Sequence, residues 1–264
     1  MKREVSSTIV LDVTNPAEMI FAVAVTGHYT PVTESFTATL DGREVPYTTL
    51  PDAHGTRLHK VASDNGRLEV TYAATIQGPG DIAIASDTDL VTYLRPSRYA
   101  ESDTLGPTAY AEFRGIPQSD LLAAVSSWVG TRLSYVPGSS LPTDGAVQTL
   151  LARQGVCRDY AHLCVALLRA LNVPARLVAV YAPGLSPMDF HAVAEAWVEG
   201  AWRVVDATTL APRSTLVRIA TGRDAADSAF LTIVSGNVSL VDVTVTAVVD
   251  ELPDDDLTQF AAIA

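Results

Sequence analysis

Hydrophobic and polar positions alternate along the first eighty or so residues, in short runs broken by turn residues. STIVLDV (7–13) and IFAVAV (20–25) have the period of two expected of half-buried strands. LDGREV (40–45) and SDNGRLEV (63–70) carry the Asp-Gly and Asn-Gly signals of β-hairpins. Residues 1–80 are therefore expected to form a small all-β domain. From 77 to 117 the chain is rich in Gly, Pro, Ser and Asp with little sustained periodicity, which puts the domain boundary near the start of that stretch.

The period changes to a helical one at Ser119. SDLLAAVSSWVGTRL has a serine placed to cap and apolar residues at helical spacing, and a second helix is expected at DGAVQTLLARQ, ending at Gly155. The third, from GVCRDYAHLCVALL to about Asn172, is apolar almost all round, with a narrow polar edge of Arg158, His162 and Arg169. Such a helix is central and buried. Strand-like runs follow: ARLVAVYA, HAVAEAWV, AWRVVDAT and NVSLVDVTVTAVV, expected to make an antiparallel sheet on which that helix packs. The fold class is α+β: residues 81–264 form a second domain with its core at about 118–240, then a C-terminal strand and an acidic, solvated tail within 237–264.

Composition narrows the functional classes. The chain has 264 residues, 48% hydrophobic and 18% charged, enough to bury a core without staples. A formal charge of −12 excludes a basic stripe for nucleic acid. The apolar run MIFAVAV (19–25) is too short to span a membrane and lies behind acidic residues, unlike a signal peptide, so a cytoplasmic location is expected. The two cysteines, Cys157 and Cys164, share one helix at a separation of roughly 10 Å along its axis, beyond disulfide reach. Both should be free thiols, as in a reducing compartment.

Position separates these thiols. Cys157 falls in the first helical turn, where unpaired N–H groups and the positive end of the dipole favour a thiolate. Cys164 lies two turns further in among aliphatic residues and reads as a small core filler. A nucleophile needs a base and the base needs an orienting group. His28, His54 and His59 belong to the β domain, and His162, five residues from Cys157 on the same helix, is turned away from it. His191 is left, opening a strand that turns at Glu199-Gly200. A loop of two or four residues pairs Trp197 with Trp202 and puts Asp206 on the face of His191; a three-residue loop puts them on opposite faces.

These segments resemble a known family. GVCRDYAHLCVALLRALNVPARLVAVY followed by DFHAVAEAWVEGAWRVVDAT is similar to the core of the transglutaminase-like superfamily, especially its bacterial members described as candidate cysteine proteases. YLRPSRYAESD (93–103), WVGTRLSYVPGSS and RIATGRDAADSAF (218–230) extend the likeness over about 93–240. The resemblance implies a papain-like α+β core, with Cys157 as nucleophile, His191 as base and Asp206 as orienter. The chain departs from the family at Val193, where a tryptophan is common, and at Asp206-Ala207-Thr208, where Asp-Pro-Thr is frequent.

The implied chemistry is acyl transfer from a peptide or other small amide substrate, with no cofactor. Water would resolve the thioester in a peptidase or amidase, an amine in a transamidase, and the same scaffold could also serve as a non-catalytic binding module. The N–H of Cys157 is expected in the oxyanion hole with a side-chain donor, for which Tyr135 and Gln154 are near enough in sequence; packing or surface roles are commoner for both. Trp197 is a candidate for lining the substrate site, although a cross-strand contact with Trp202 is the commoner role. No metal is expected: Asp52, His54 and His59 fit no zinc spacing, and HAVAE lacks the second histidine of a metalloprotease helix. Oligomeric state is left open.

Overall fold

A computed structural model describes all residues, 1–264. In chain order the strands are β1 (Lys2–Phe21), β2 (Thr33–Leu40), β3 (Arg43–Glu44), β4 (Tyr47–Pro51), β5 (Arg57–Ser63) and β6 (Gly66–Gln77). The helices α1 (Asp87–Thr92), α2 (Gly106–Phe113) and α3 (Gln118–Arg132) come next. Then follow β7 (Ser134–Tyr135), α4 (Ala146–Ala152), β8 (Gln154–Gly155) and α5 (Cys157–Ala170). The chain ends with β9 (Ala175–Tyr181), β10 (Phe190–Val198), β11 (Ala201–Val205), β12 (Val217–Gly222) and β13 (Leu231–Val249).

Two antiparallel sheets result. The first orders β3-β2-β6-β1-β5-β4 and adds β13 against β1; the second orders β11-β10-β9-β12. Alternation along β1 buries Val5, Ile9, Leu11, Val13, Met19 and Phe21 on one face, and this face packs on Tyr181, Val217, Ile219 and Ala220 of the second sheet. The α+β class follows, with α5 wrapped by α2, α3, α4 and β10. Its Leu163, Cys164, Val165, Ala166, Leu167 and Leu168 are wholly buried, and Ala194 and Ala196 on β10 give the helix a flat bed.

Several expectations change. Asp41 and Gly42, both at positive φ, do turn the β2–β3 hairpin, but SDNG makes none. β5 pairs with residues 17–21 of β1 and β6 with residues 2–13, so the two strands follow one another along the same edge of β1, and SDNG is the break opposite Asn15-Pro16. A proline without an N–H offers no ladder bond there, which favours an interruption over a reversal. Similarly, 7–13 and 20–25 are not separate strands: β1 runs unbroken from Lys2 to Phe21, and residues 22–25 lie beyond its end in no strand.

The last strand also moves. NVSLVDVTVTAVV does not join the sheet under α5 but pairs along β1, from Arg3↔Val249 to Phe21↔Leu231, so the C-terminal strand completes the first sheet. Nor is the acidic tail after it a solvated end. Arg213 makes a two-pronged ion pair with Asp255 and donates to the carbonyls of Asp256 and Gln259. Val204 N–H donates to Ala261, Arg3 to the Ala264 carbonyl, and Ile263 is buried. The tail is a strap across the second sheet. The segment 77–117, in turn, contains α1 and α2, the first begun by a capping box in which Ser86 and Asp89 satisfy each other's N–H.

One buried ionic cluster ties the second sheet together. Glu195 on β10 accepts from Arg176 Nε at 2.8 Å and from Arg218 Nη2 at 2.6 Å, all three side chains being out of solvent. Burial alone would raise the Glu195 carboxyl, but the two guanidiniums hold it down at about 2. Arg176 also stacks on Trp202, 3.8 Å from the ring centre.

Candidate active site

The β10–β11 turn fixes the site. Val198 pairs with Ala201 and Trp197 with Trp202, leaving a two-residue loop in which Glu199 (φ 52°) and Gly200 (φ 73°) are both left-handed. That is the turn whose twist matches paired strands. Its even parity brings His191 and Asp206 to the same face. The imidazole Nε2 lies 2.9 Å from Asp206 Oδ2, with both side chains excluded from water. Asp206 Oδ1 accepts from the backbone N–H and the hydroxyl of Thr208, at 2.9 and 2.6 Å, so both carboxylate oxygens are held.

Cys157 is placed by a local cap. Asp159, fully buried, accepts from the backbone N–H of Val156 at 2.8 Å and from Ser140 Oγ at 2.5 Å, and pairs with Arg158. A side chain at Gly155 would put its Cβ 2.7 Å from Asp159 Cβ, so GVCRD needs glycine for the cap to close. The cap satisfies an N–H preceding Cys157 and leaves the thiol at the first turn. Cys157 is half-buried and free; Cys164 is free and buried, and burial pushes its thiol well up, as an inert filler requires.

Electrostatics link the three groups. Burial alone would lower the proton affinity of His191; Asp206 overrides this, and with the Cys157 thiol raises the imidazole to about 10. For Asp206, burial works upward, but His191 and Thr208 hold the carboxyl below its usual value. Nε2 is committed to Asp206 and buried Nδ1 has no conventional hydrogen-bond partner, so Nδ1 is the nitrogen left to face the thiol. His162 is a different case: desolvation lowers it to about 4, and its Nε2 accepts from the Ala225 N–H, making it a neutral structural residue.

Of the weaker candidates, Tyr135 joins the group. β7 and β8 pair in parallel, Tyr135 against Gly155, which sets the phenol two residues before Cys157. Burial and then the Cys157 thiol raise the Tyr135 hydroxyl to about 12, while the Cys157 backbone N–H acts on it in the opposite sense. Gln154 is on the same short ladder, paired with Ser134, and its side chain is exposed. Trp197 is not brought in: six residues along β10 from His191, about 20 Å at strand rise, it packs edge-on against Trp202.

The site has neighbours that spacing alone does not reveal. Gly130 of α3 comes so close that a Cβ there would lie 2.7 Å from the Ala207 carbonyl, and Ser126 Oγ donates to the carbonyl of Asp206. Thr208, which occupies an oxygen of Asp206, is legible in DAT only once the carboxylate's role is suspected.

Comparison with known proteins identifies the family. Residues 114–207 match the model of the transglutaminase-like superfamily, a span that contains Tyr135, Cys157, His191 and Asp206. The crystal structure of a candidate cysteine protease from Cytophaga hutchinsonii is 34% identical, superposes with a TM-score of 0.85, and is covered over 92% of its chain by 97% of this one. An uncharacterized protein of Mycobacterium leprae is 28% identical over 119 residues, 41% of this chain and 42% of its own. One from Mycobacterium bovis is 38% identical over 65 residues, 25% of this chain and 21% of its own. This chain thus matches less than half the length of these curated relatives. Near-complete coverage of the Cytophaga hutchinsonii structure at that identity extends the likeness from the matched core to both sheets: the chain belongs to the transglutaminase-like superfamily, a family of cysteine-based enzymes.

Proposed function

We propose that this protein hydrolyses a peptide or other amide through a Cys157-His191-Asp206 triad. The observation that carries the reading is the buried 2.9 Å His191–Asp206 pair whose second ring nitrogen is left to a thiol at a helix N-terminus. With Asp206 ionised, His191 holds a proton at neutral pH, and the helix dipole favours the thiolate beside it. The reactive form is the one in which Cys157 has lost its proton beside protonated His191.

In the first half-reaction Cys157 Sγ forms a bond to the amide carbon, and the carbonyl oxygen takes the negative charge. The backbone N–H of Cys157 and the Tyr135 hydroxyl are the donors suited to that oxygen. As the C–N bond breaks, His191 gives its proton to the leaving amine and a thioester remains. In the second, His191 takes a proton from water, hydroxide adds to the thioester, and the acid leaves with the thiolate restored. Asp206 keeps the imidazole oriented and stabilises its charged form throughout. Hydrolysis is preferred over transfer to an amine because the structural relative of 34% identity is described as a protease. Two free thiols suit a reducing compartment, and no helix is long and apolar enough to cross a membrane.

The test is alkylation and turnover together. Iodoacetamide is expected to modify the folded protein once, at Cys157, and Cys157→Ala to abolish both labelling and cleavage of an unbiased peptide library, while Cys164→Ala preserves both. Equal labelling of the two cysteines refutes the reading. Conjugation of a supplied primary amine without hydrolysis would reassign the protein as a transamidase.

A further inference from the structure

A cavity of about 460 Å³ lies beside the triad, between α3, the segment 204–209 and the C-terminal strap. Its lining includes Tyr135, Tyr160 and Asp206, and Leu257, Gln259 and Phe260 of the strap form one side of it. We propose that this cavity is the specificity pocket of the Cys157 site, that it receives the side chain of the residue whose carbonyl is attacked, and that it selects uncharged side chains. The assignment rests on the hydrolase reading above.

Position is the first argument. The donors proposed for the carbonyl oxygen are the Cys157 N–H and the Tyr135 hydroxyl; Tyr135, paired with Gly155 two residues before Cys157, lines the cavity, as does Asp206 of the triad, while Cys157 and His191 do not. A residue presenting its carbonyl there has this cavity as the adjoining space for its side chain. The strap side of the cavity is anchored: Arg213 grips Asp255 and the carbonyls of Asp256 and Gln259, on either side of Leu257. A backbone hydrogen bond from Val204, another lining residue, to Ala261 holds the strap just beyond Phe260.

The second argument is charge. Two ionised groups touch the cavity, and both are spent: Asp206 on His191 and Thr208, Arg213 on Asp255. The remaining polar lining consists of neutral hydroxyls and an amide, among them Ser126, Thr131, Thr208 and Gln259, set around Leu122, Val204 and Phe260. A charged side chain entering would lose its hydration without meeting a free counter-charge, whereas an aliphatic or amide side chain would find apolar contact and neutral hydrogen-bonding groups. The tail of an acidic chain thus contributes carboxylates to anchoring the wall, and neutral residues to the pocket itself.

The test uses N-acetyl amino-acid chloromethyl ketones, in which the thiolate forms an S–C bond and chloride leaves. Leucine and glutamine reagents are compared with glutamate and lysine reagents, each rate taken relative to that of iodoacetamide on the same protein. The uncharged reagents are expected to inactivate at least tenfold faster on this scale. Ala123→Trp, at an exposed α3 position lining the cavity, should erase that preference by filling it, and Phe260→Ala should lower the leucine rate more than the glutamine rate. Equal relative rates for charged and uncharged reagents, or a preference that survives Ala123→Trp, overturn the pocket assignment while iodoacetamide labelling leaves the hydrolase reading standing. A Cys157 that iodoacetamide does not modify overturns both.

Discussion

Replacing Asp206 by asparagine removes one charge from a buried pair and keeps the shape of the side chain. His191 stands at about 10 because Asp206 outweighs the effect of burial; without that charge, burial is left to lower the imidazole below its ordinary 6.5. A fall of at least three to four units, at about 1.4 kcal/mol each, is a loss of roughly 4–5 kcal/mol in stabilisation of the imidazolium. At pH 7 the variant would hold neutral His191, so no imidazolium charge would stand beside the Cys157 sulfur to support it as a nucleophile. From the cost of the same exchange in other triads, the expected loss in kcat is on the order of 10⁴-fold. The assay is a carbon-13 NMR titration of the His191 ring from pH 4 to 11 in wild type and Asp206→Asn, run beside the pH dependence of iodoacetamide labelling. In wild type the protonated ring should persist to about pH 10; in the variant it should be lost below 6.5. Stability follows the same signs. The raised histidine contributes fully below 6.5 and loses its contribution as pH rises through about 10, while the lowered Asp206 contributes above its ordinary range and fails as pH falls through its depressed value. An unmoved His191 titration, or unchanged labelling at pH 7, refutes the assignment of Asp206.

Two predictions concern the scaffold. Glu195→Gln leaves Arg176 and Arg218 buried without their common carboxylate and should cost about 3–5 kcal/mol in urea denaturation; a change below about 1 kcal/mol would show that water or the Trp202 ring compensates. Asp255→Ala frees the strap from Arg213 and should raise amide hydrogen exchange across 256–262 with α5 left protected; exchange unaltered there would mean that Ile263 and the Val204–Ala261 bond suffice.

Much of the site was legible from local chemistry. A cysteine at a helix start, a histidine opening a strand and an aspartate closing its hairpin partner are constraints of period and turn length, and Glu199-Gly200 adopts the two-residue turn that puts the last two on one face. Tyr135 was legible only as a nearby residue, because its place depends on a two-residue parallel ladder too short to leave a periodic signal. Gln154 had the same standing in sequence and points to solvent instead.

The sequence by itself determined the elements and their chemistry: alternating strands, a central helix apolar almost all round, an N-terminal thiol and an interior one. Tertiary structure alone decided which strands meet. β13 alternates as well as any strand, yet nothing in that pattern tells the sheet under α5 from the edge of β1 some 220 residues earlier in the chain. The same holds for SDNG, a hairpin signal overridden because both strands it would have joined pair with β1 instead, one after the other along the same edge. It holds equally for DELPDDD, which local charge marks as a solvated tail and which Arg213, distant in sequence, fastens across the pocket. Period and propensity are set by neighbours along the chain; pairing of sheet edges and of buried charges is set by partners that local sequence does not name.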